Sequence, residues 1–81
     1  MKYTATISRF DDGEIAELFL SNHKSGSQAD SAARDAAIIL SFALQCGADI
    51  AAIRRALSRD SRGRADSVIG AALDLIEETD R

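Results

Sequence analysis

The chain has 81 residues, one cysteine, no proline and a formal net charge of −3. This length fits one domain, residues 1–81, and leaves little mass for a large core. A single cysteine excludes disulfides within one chain and is typical of a reducing, cytoplasmic protein. No basic segment followed by an apolar one opens the chain, and no apolar run approaches the roughly 20 residues of a membrane span. We therefore expect neither a signal peptide nor a contact with a membrane.

Two strands are predicted at the start of the chain. Residues 2–10 alternate between apolar and hydroxyl side chains, which is typical of a half-buried strand. Asp-Asp-Gly-Glu at residues 11–14 is a hairpin signal, and residues 15–21 form the return strand. An isolated hairpin is marginal in water, and its open edge invites another strand. The two faces of the return strand are predicted to be Ala16, Leu18 and Leu20 on one side and Ile15, Glu17 and Phe19 on the other.

A long helix is predicted over residues 30–46, where apolar side chains occupy nearly every side. Asp30 or Ser31 is expected to cap its start, and Gly47 to end it. Cys46 is expected to be a small core side chain at its end. A helix that is apolar all round is normally buried on all sides. This chain is too small to provide that cover, so a second copy or another protein must supply it.

Two shorter helices follow. Asp49 is expected to cap the second helix, whose apolar stripe is Ile50, Ile53 and Leu57. Arg54, Arg55 and Arg59 are expected to face water. After a loop over residues 58–65, Asp66 or Ser67 caps a third helix with apolar residues at Ile69, Ala72, Leu73 and Ile76. The predicted fold is α+β in the order β-β-α-α-α, with a largely buried central helix. Edge-to-edge pairing of two hairpins about a two-fold axis predicts a homodimer with a shared sheet; a monomer is the alternative.

Charge is unevenly distributed along the chain, and this pattern marks two candidate partner-binding clusters. An acidic cluster lies around the hairpin turn, and an arginine-rich segment contains a single acid, Asp60. A third group of charges, Asp74, Glu77 and Glu78, makes the end of the chain acidic. The candidate partner-binding residues are Asp11, Asp12, Glu14, Glu17, Arg54, Arg55, Arg59, Arg62 and Arg64.

The loop before the long helix is a candidate anion site. Lys24, Ser25, Gly26 and Ser27 precede a helix start, where backbone N–H groups and the helix dipole favour an anion. The alternative is an ordinary connection in which the serines make turns. The phosphate-loop and dinucleotide-binding glycine patterns do not occur in this chain. His23 is the single histidine, so we expect no metal site, no cofactor and no catalytic constellation of nucleophile, base and orienting group.

Several segments together resemble the TSCPD domain. They are Glu-Leu-Phe at residues 17–19, Lys-Ser-Gly-Ser at 24–27, Leu-Ser-Phe-Ala-Leu-Gln-Cys-Gly at 40–47, then Ile53 and Leu57. That domain lies near the carboxyl end of B12-dependent ribonucleotide reductases and also occurs as small free-standing proteins in bacteria and mobile elements. The likeness covers residues 12–57. The Cys-Pro element that gives the family its name has no counterpart here, since the chain has no proline.

These observations favour a non-enzymatic interaction module that acts by covering a surface on a larger protein or nucleoprotein complex. The resemblance and the small size point to an inhibitor of a host nucleic-acid-handling complex, of which an anti-CRISPR protein is the concrete form. The resemblance also implies an alternative, an accessory domain related to ribonucleotide reductase. A third hypothesis is a DNA-binding regulator, since Ala43, Gly47 and Ile53 have the spacing of a helix-turn-helix unit and arginines follow.

Overall fold

The computed structural model describes residues 3–22 and 28–79. It confirms the predicted α+β order of an antiparallel hairpin followed by three helices. The elements are β1 (Tyr3–Arg9), β2 (Ile15–Asn22), α1 (Gln28–Gln45), α2 (Ile50–Ala56) and α3 (Val68–Thr79). Contacts divide the chain into two compact units, Met1–Ala48 and Asp49–Arg81. The single domain over residues 1–81 that the chain length predicts stays a prediction, because compact units of this kind can belong to one domain or to two.

The hairpin turn forms at the predicted Asp-Gly step. The Phe10 N–H donates to the Glu14 carbonyl at 2.8 Å, and the Gly13 N–H donates to the Phe10 carbonyl at 2.9 Å. Gly13 has a φ of +90°, which a side chain with a Cβ rarely adopts, so the turn depends on glycine there. The turn sets the register of the two strands, in which Ile7 lies opposite Leu18.

A bulge changes the expected alternation at the start of β2. The register shifts between Ser8 and Arg9, so that Ala16 is the extra residue on the β2 side. Ile15 and Ala16 are both buried, with exposures of 6% and 8%. The burial of both residues departs from a strict alternation of buried and exposed positions. A bulge places two residues of one strand against a single residue of its partner and interrupts the period of two.

One side of α1 packs against β2 and forms the core of the first unit. The buried α1 residues recur every three or four positions, which is the spacing of one helix face. Leu18 of β2 is fully buried against this layer, at 0% exposure. The buried side of α1 consists of Ala33, Ala37, Leu40, Ser41 and Leu44.

The start of α1 differs from the prediction, whereas its end agrees with it. The helix begins at Gln28, so Asp30 lies inside its first turn, where it is 2% exposed, and neither Asp30 nor Ser31 is the cap. At the other end Gly47 has a φ of +93°. The Ala48 N–H donates to the Ala43 carbonyl and the Gly47 N–H to that of Leu44, both at 3.0 Å, which is a Schellman stop. Cys46 is exposed, which corrects its expected place in the core.

The second unit contains two capped helices and a tight loop. The Asp49 carboxylate accepts the Ala51 N–H at 3.0 Å, so Asp49 caps α2 as predicted. Ser67 is the cap of α3, since its hydroxyl accepts the Gly70 N–H at 3.1 Å. Gly70 is buried, and a Cβ there would lie 3.2 Å from the Ala65 Cβ. Glycine at this position therefore lets α3 approach the preceding loop closely.

Candidate interaction surfaces

The acidic cluster at the hairpin turn is exposed as predicted for Asp11, Asp12 and Glu14. Asp12 also stabilises the turn, because its carboxylate accepts the Glu14 N–H at 2.9 Å. Arg9 donates from Nη1 to the Gly13 carbonyl at 2.8 Å. The turn is therefore fixed by its own hydrogen bonds while it presents three carboxylates to water. We call Asp11, Asp12 and Glu14 the acidic tip.

Glu17 differs from the residues of the acidic tip in its location and burial. It lies within β2 and is half-buried. Its carboxylate accepts a hydrogen bond from the Ser8 hydroxyl on β1 at 2.8 Å. This cross-strand bond holds Glu17 in the hairpin, so its side chain is less available to a partner than the acidic tip.

The predicted anion-binding loop, Lys24, Ser25, Gly26 and Ser27, lies outside the described residues, as does His23. The anion site therefore stays a prediction. The first unit has a shallow cleft of about 230 Å³ beside Phe19, Arg34 and Ile38. Ligand pockets are usually about 300–1,000 Å³ and enclosed.

The arginine-rich segment contains an ion-pair cluster that sequence reasoning missed. Asp74 of α3 accepts from Arg54 Nε at 2.8 Å. Arg59 approaches the same carboxylate with both terminal nitrogens, Nη1 to Oδ2 at 2.8 Å and Nη2 to Oδ1 at 2.7 Å. Such a two-pronged pairing is the preferred geometry of arginine with a carboxylate. We call Arg54, Arg59 and Asp74 the arginine clamp.

Electrostatics in the clamp favour the ionised forms of both partners. Hydrogen bonds from Arg59, and then from Arg54, hold the pKa of Asp74 well below its ordinary value. The same hydrogen bonds, which Arg59 donates to Asp74, raise the pKa of Arg59. One carboxylate between two guanidinium groups leaves the clamp with a net positive charge, but its donors point inward to Asp74.

The clamp corrects the prediction that Arg54 and Arg59 face water. Their side chains are 32% and 31% exposed, and both are turned to Asp74. No sequence signal could have identified this pairing, because Asp74 lies 20 residues after Arg54 and 15 after Arg59. The predicted acidic group at the end of the chain also loses Asp74 to the clamp.

The other arginines of the segment are exposed, as predicted. Arg55 lies on α2, while Arg62 and Arg64 lie in a loop organised by Asp60. The Asp60 carboxylate accepts the backbone N–H groups of Arg62 and Arg64, at 2.9 and 3.0 Å. It also lies 3.5 Å from Arg64 Nε, a contact at the surface. The basic surface of this segment is therefore smaller than five arginines would imply.

The side of α1 that faces away from β2 is apolar and exposed. Ile39 and Phe42 are each 69% exposed there, whereas Ile38, which is 43% exposed, borders the cleft beside Phe19 of β2. Ile39 lies about half a turn from Ala37, and Phe42 about half a turn from Leu40, both of which are on the buried side. Apolar clusters of this kind on a surface commonly mark contacts with other proteins. We call Ile39 and Phe42 the outer face of α1.

The sequence predicts that the chain is too small to bury every side of the long helix, but it does not identify which residues remain exposed. The structure shows that Ile39 and Phe42 are the exposed apolar residues on the side away from β2, and neither was among the candidate site residues. Their exposure depends on which side of α1 meets β2. The periodicity of a segment that is apolar all round cannot decide this, because every side fits a core equally well.

Other classes of site find no support in the described residues. Across residues 3–22 and 28–79, no group of three His, Cys, Asp or Glu side chains lies close enough together to hold a metal ion. In the same residues, no helix has both the length and the apolar character needed to cross a membrane. Comparisons with protein-family models, with curated proteins and with solved structures gave no match.

Proposed function

We propose that this chain is a non-enzymatic protein-interaction module that works in the cytoplasm by covering a surface on a larger protein or complex. The outer face of α1 carries this proposal, since the large apolar side chains of Ile39 and Phe42 are each 69% exposed. Exposing such groups costs solubility unless a partner covers them. The homodimer expected from the sequence belongs to the same proposal.

The acidic tip supports a narrower version of this function. Three carboxylates on a rigid turn could occupy a basic groove that normally holds nucleic acid, and complementary charge would speed their encounter. We therefore propose an inhibitor of a host nucleic-acid-handling complex, with an anti-CRISPR protein as the concrete form. The small size of the chain and its resemblance to free-standing proteins of mobile elements support this version.

The experiment is a pull-down with the tagged full-length chain from cells that carry a CRISPR effector complex. We expect effector subunits to be retained by the wild type and lost with D11N/D12N/E14Q. Asparagine at residue 12 can still accept the Glu14 N–H, so the turn is kept. E77Q/E78Q is the matched control, because it removes exposed carboxylates from α3 instead. No retained effector subunit with the wild type would overturn the anti-CRISPR version.

The arginine clamp bears on the DNA-binding alternative. Phosphate contacts need cations that can turn outward, and Arg54 and Arg59 already donate to Asp74. We infer that direct nucleic-acid binding would depend mainly on Arg55, Arg62 and Arg64. Binding to duplex DNA that weakens steeply with salt and is lost with R55A/R62A/R64A would favour that alternative over the interaction module. Co-purification with a ribonucleotide reductase would favour an accessory role in nucleotide reduction.

A further inference from the structure

The two edges of the hairpin differ in whether their backbone groups are used. On the β2 side, the Leu18 N–H donates to the Ser41 hydroxyl at 2.9 Å, and that hydroxyl lies 3.0 Å from the Leu18 carbonyl oxygen. Leu18 therefore directs both backbone groups away from β1 and toward α1. Ser41 occupies the position that a neighbouring strand would take, so the β2 edge is closed at its centre.

The bonding of Leu18 also determines which groups of β1 point outward. In an antiparallel pair, residues that exchange hydrogen bonds alternate with residues that do not. Leu18 lies opposite Ile7, so Ile7 is a residue that does not bond to β2, and Ala5 is the next. The bond from the Phe10 N–H to the Glu14 carbonyl fits the same alternation from the other end. The N–H and C=O groups of Ala5 and Ile7 thus point to the outer edge of β1.

That outer edge is uncovered within the described residues. The sheet has two strands, and six of the seven β1 residues are exposed. Proteins usually protect such an edge with proline, a bulge or charged side chains. Here β1 has no proline, the extra residue of the bulge is on β2, and the single charge is Arg9 at one end. The sequence of β1 therefore lacks the usual features that prevent pairing with another strand.

We propose that β1 pairs with β1 of a second copy of this chain, antiparallel about a two-fold axis that passes beside Thr6. The Ala5 N–H and C=O would bond to the partner's Ile7, and the symmetric pair would make two more such bonds. The two hairpins would then form one four-stranded sheet. This inference rests on the proposed homodimer and assigns it an edge and a register.

Three observations favour a second copy and this register over others. Thr6 is the midpoint of β1, so centring there pairs all seven residues, whereas a centre at Ala5 or Ile7 pairs only five. The centre places Thr6 directly opposite the partner's Thr6, a favourable cross-strand pair. It also places Arg9 and the partner's Arg9 at opposite ends of the sheet, which avoids like-charge contact.

The register is tested by a disulfide at the two-fold axis. In T6C/C46S the engineered thiol is the only one in the chain, and the two copies would meet at a non-bonded pair with Cα atoms about 4.5 Å apart, within disulfide reach. We expect mild oxidation to give a covalent dimer. S8C/C46S is the matched control on the same strand, because its two sulfur atoms would be separated by about four residues, or roughly 13 Å. It should stay uncrosslinked.

A second test removes the edge donor. A5P deletes an N–H that points away from β2, so the hairpin bonds remain. We expect the dissociation constant of the dimer, measured by sedimentation, to rise by about tenfold or more. T6K, which places two ammonium groups opposite each other, should have the same effect if A5P fails to fold.

The outcomes separate this inference from the broader proposal. A dimer by mass in which T6C/C46S does not crosslink, or S8C/C46S crosslinks equally well, overturns the β1 register and leaves a homodimer through another surface. A single-subunit mass at micromolar concentration overturns both. Mass is measured with C46S, so that the exposed native thiol cannot produce the dimer.

Discussion

At the scale of single residues, Ser41 links α1 to β2 through the hydrogen bonds of its hydroxyl group. It is 4% exposed, beside Leu40 and Leu44 on the buried side of α1. Its hydroxyl accepts from the Leu18 N–H and can donate to the carbonyl of Leu18 or of Ala37, at 3.0 and 2.9 Å. Buried backbone groups need such partners, since an unpaired one carries its full desolvation cost. Ser41 therefore allows α1 to pack beside β2 without leaving polar groups unpaired.

We predict that Ser41→Ala lowers the free energy of unfolding by about 1–3 kcal/mol, because it leaves the Leu18 N–H buried without an acceptor. Urea denaturation of the full chain measures this. Ser31→Ala is the control, since Ser31 is exposed on the same helix and should change stability by less than about 0.5 kcal/mol. Equal stability of the two variants would show that the Ser41 hydroxyl does not stabilise the fold.

At the scale of elements, the arginine clamp joins α2 and the following loop to α3. Side chains of Arg54 and Arg59 converge on Asp74 from two positions in the sequence, so one carboxylate fixes two segments. The half-buried apolar residues of α2 alone provide little cover, since α2 is seven residues long and has no buried residue. The clamp compensates for this by directional bonds rather than by apolar area.

We predict that Asp74→Asn destabilises the protein at neutral pH and that this loss becomes smaller in acid. The pKa of Asp74 in the folded chain lies below its ordinary value of 3.8. A lowered pKa contributes stability above the unfolded pKa, and that stability is lost as the pH falls through the folded pKa. Urea denaturation of wild type and variant near pH 7 and near pH 2 measures the difference.

Glu77→Gln is the control for that experiment, because Glu77 is exposed on the same helix. It removes one negative charge without touching the clamp. A stability difference between wild type and Asp74→Asn that is unchanged from neutral to acidic pH would contradict the role assigned to the ionised carboxylate.

At the scale of the whole molecule, the two sides of α1 have opposite environments. Leu40 is 5% exposed on the side that meets β2, whereas Ile39 and Phe42 are 69% exposed. Side chains on the first side stabilise the fold, while those on the second add little to it and remain available for association. Stability and binding should therefore respond to different substitutions on one helix.

We predict that I39S/F42S keeps the free energy of unfolding within about 1 kcal/mol of the wild type, because little area at these sites is buried. The same variant should lose most of its retained partner in a pull-down and bind less of an apolar fluorescent dye. Leu40→Ser is the matched control and should destabilise the fold strongly. Undiminished capture by I39S/F42S would remove the outer face of α1 as the docking surface.

The amino-acid sequence alone predicted the features that depend on neighbours along the chain. The Asp-Gly turn, the Asp49 cap, the Gly47 stop and a cap of α3 at Asp66 or Ser67 follow from the chemistry of a few consecutive residues. All are present, and the structure selects Ser67 as the cap of α3. The exposed acidic tip belongs to the same class, since carboxylates in a tight turn have nowhere else to point. Local conformational preference determines these features without reference to distant residues.

The tertiary structure decided which groups meet across long separations in the sequence. It selected the side of α1 that packs on β2, paired Ser41 with Leu18 23 residues away, and sequestered Arg54 and Arg59 at Asp74. Because α1 has apolar residues on every side, its sequence is compatible with any orientation against β2. The sequence likewise does not determine which of the five arginines form ion pairs and which remain exposed. Only the packing of whole elements selects one of these arrangements, because the energy of a contact depends on the positions of the two groups in space and not on their separation along the chain.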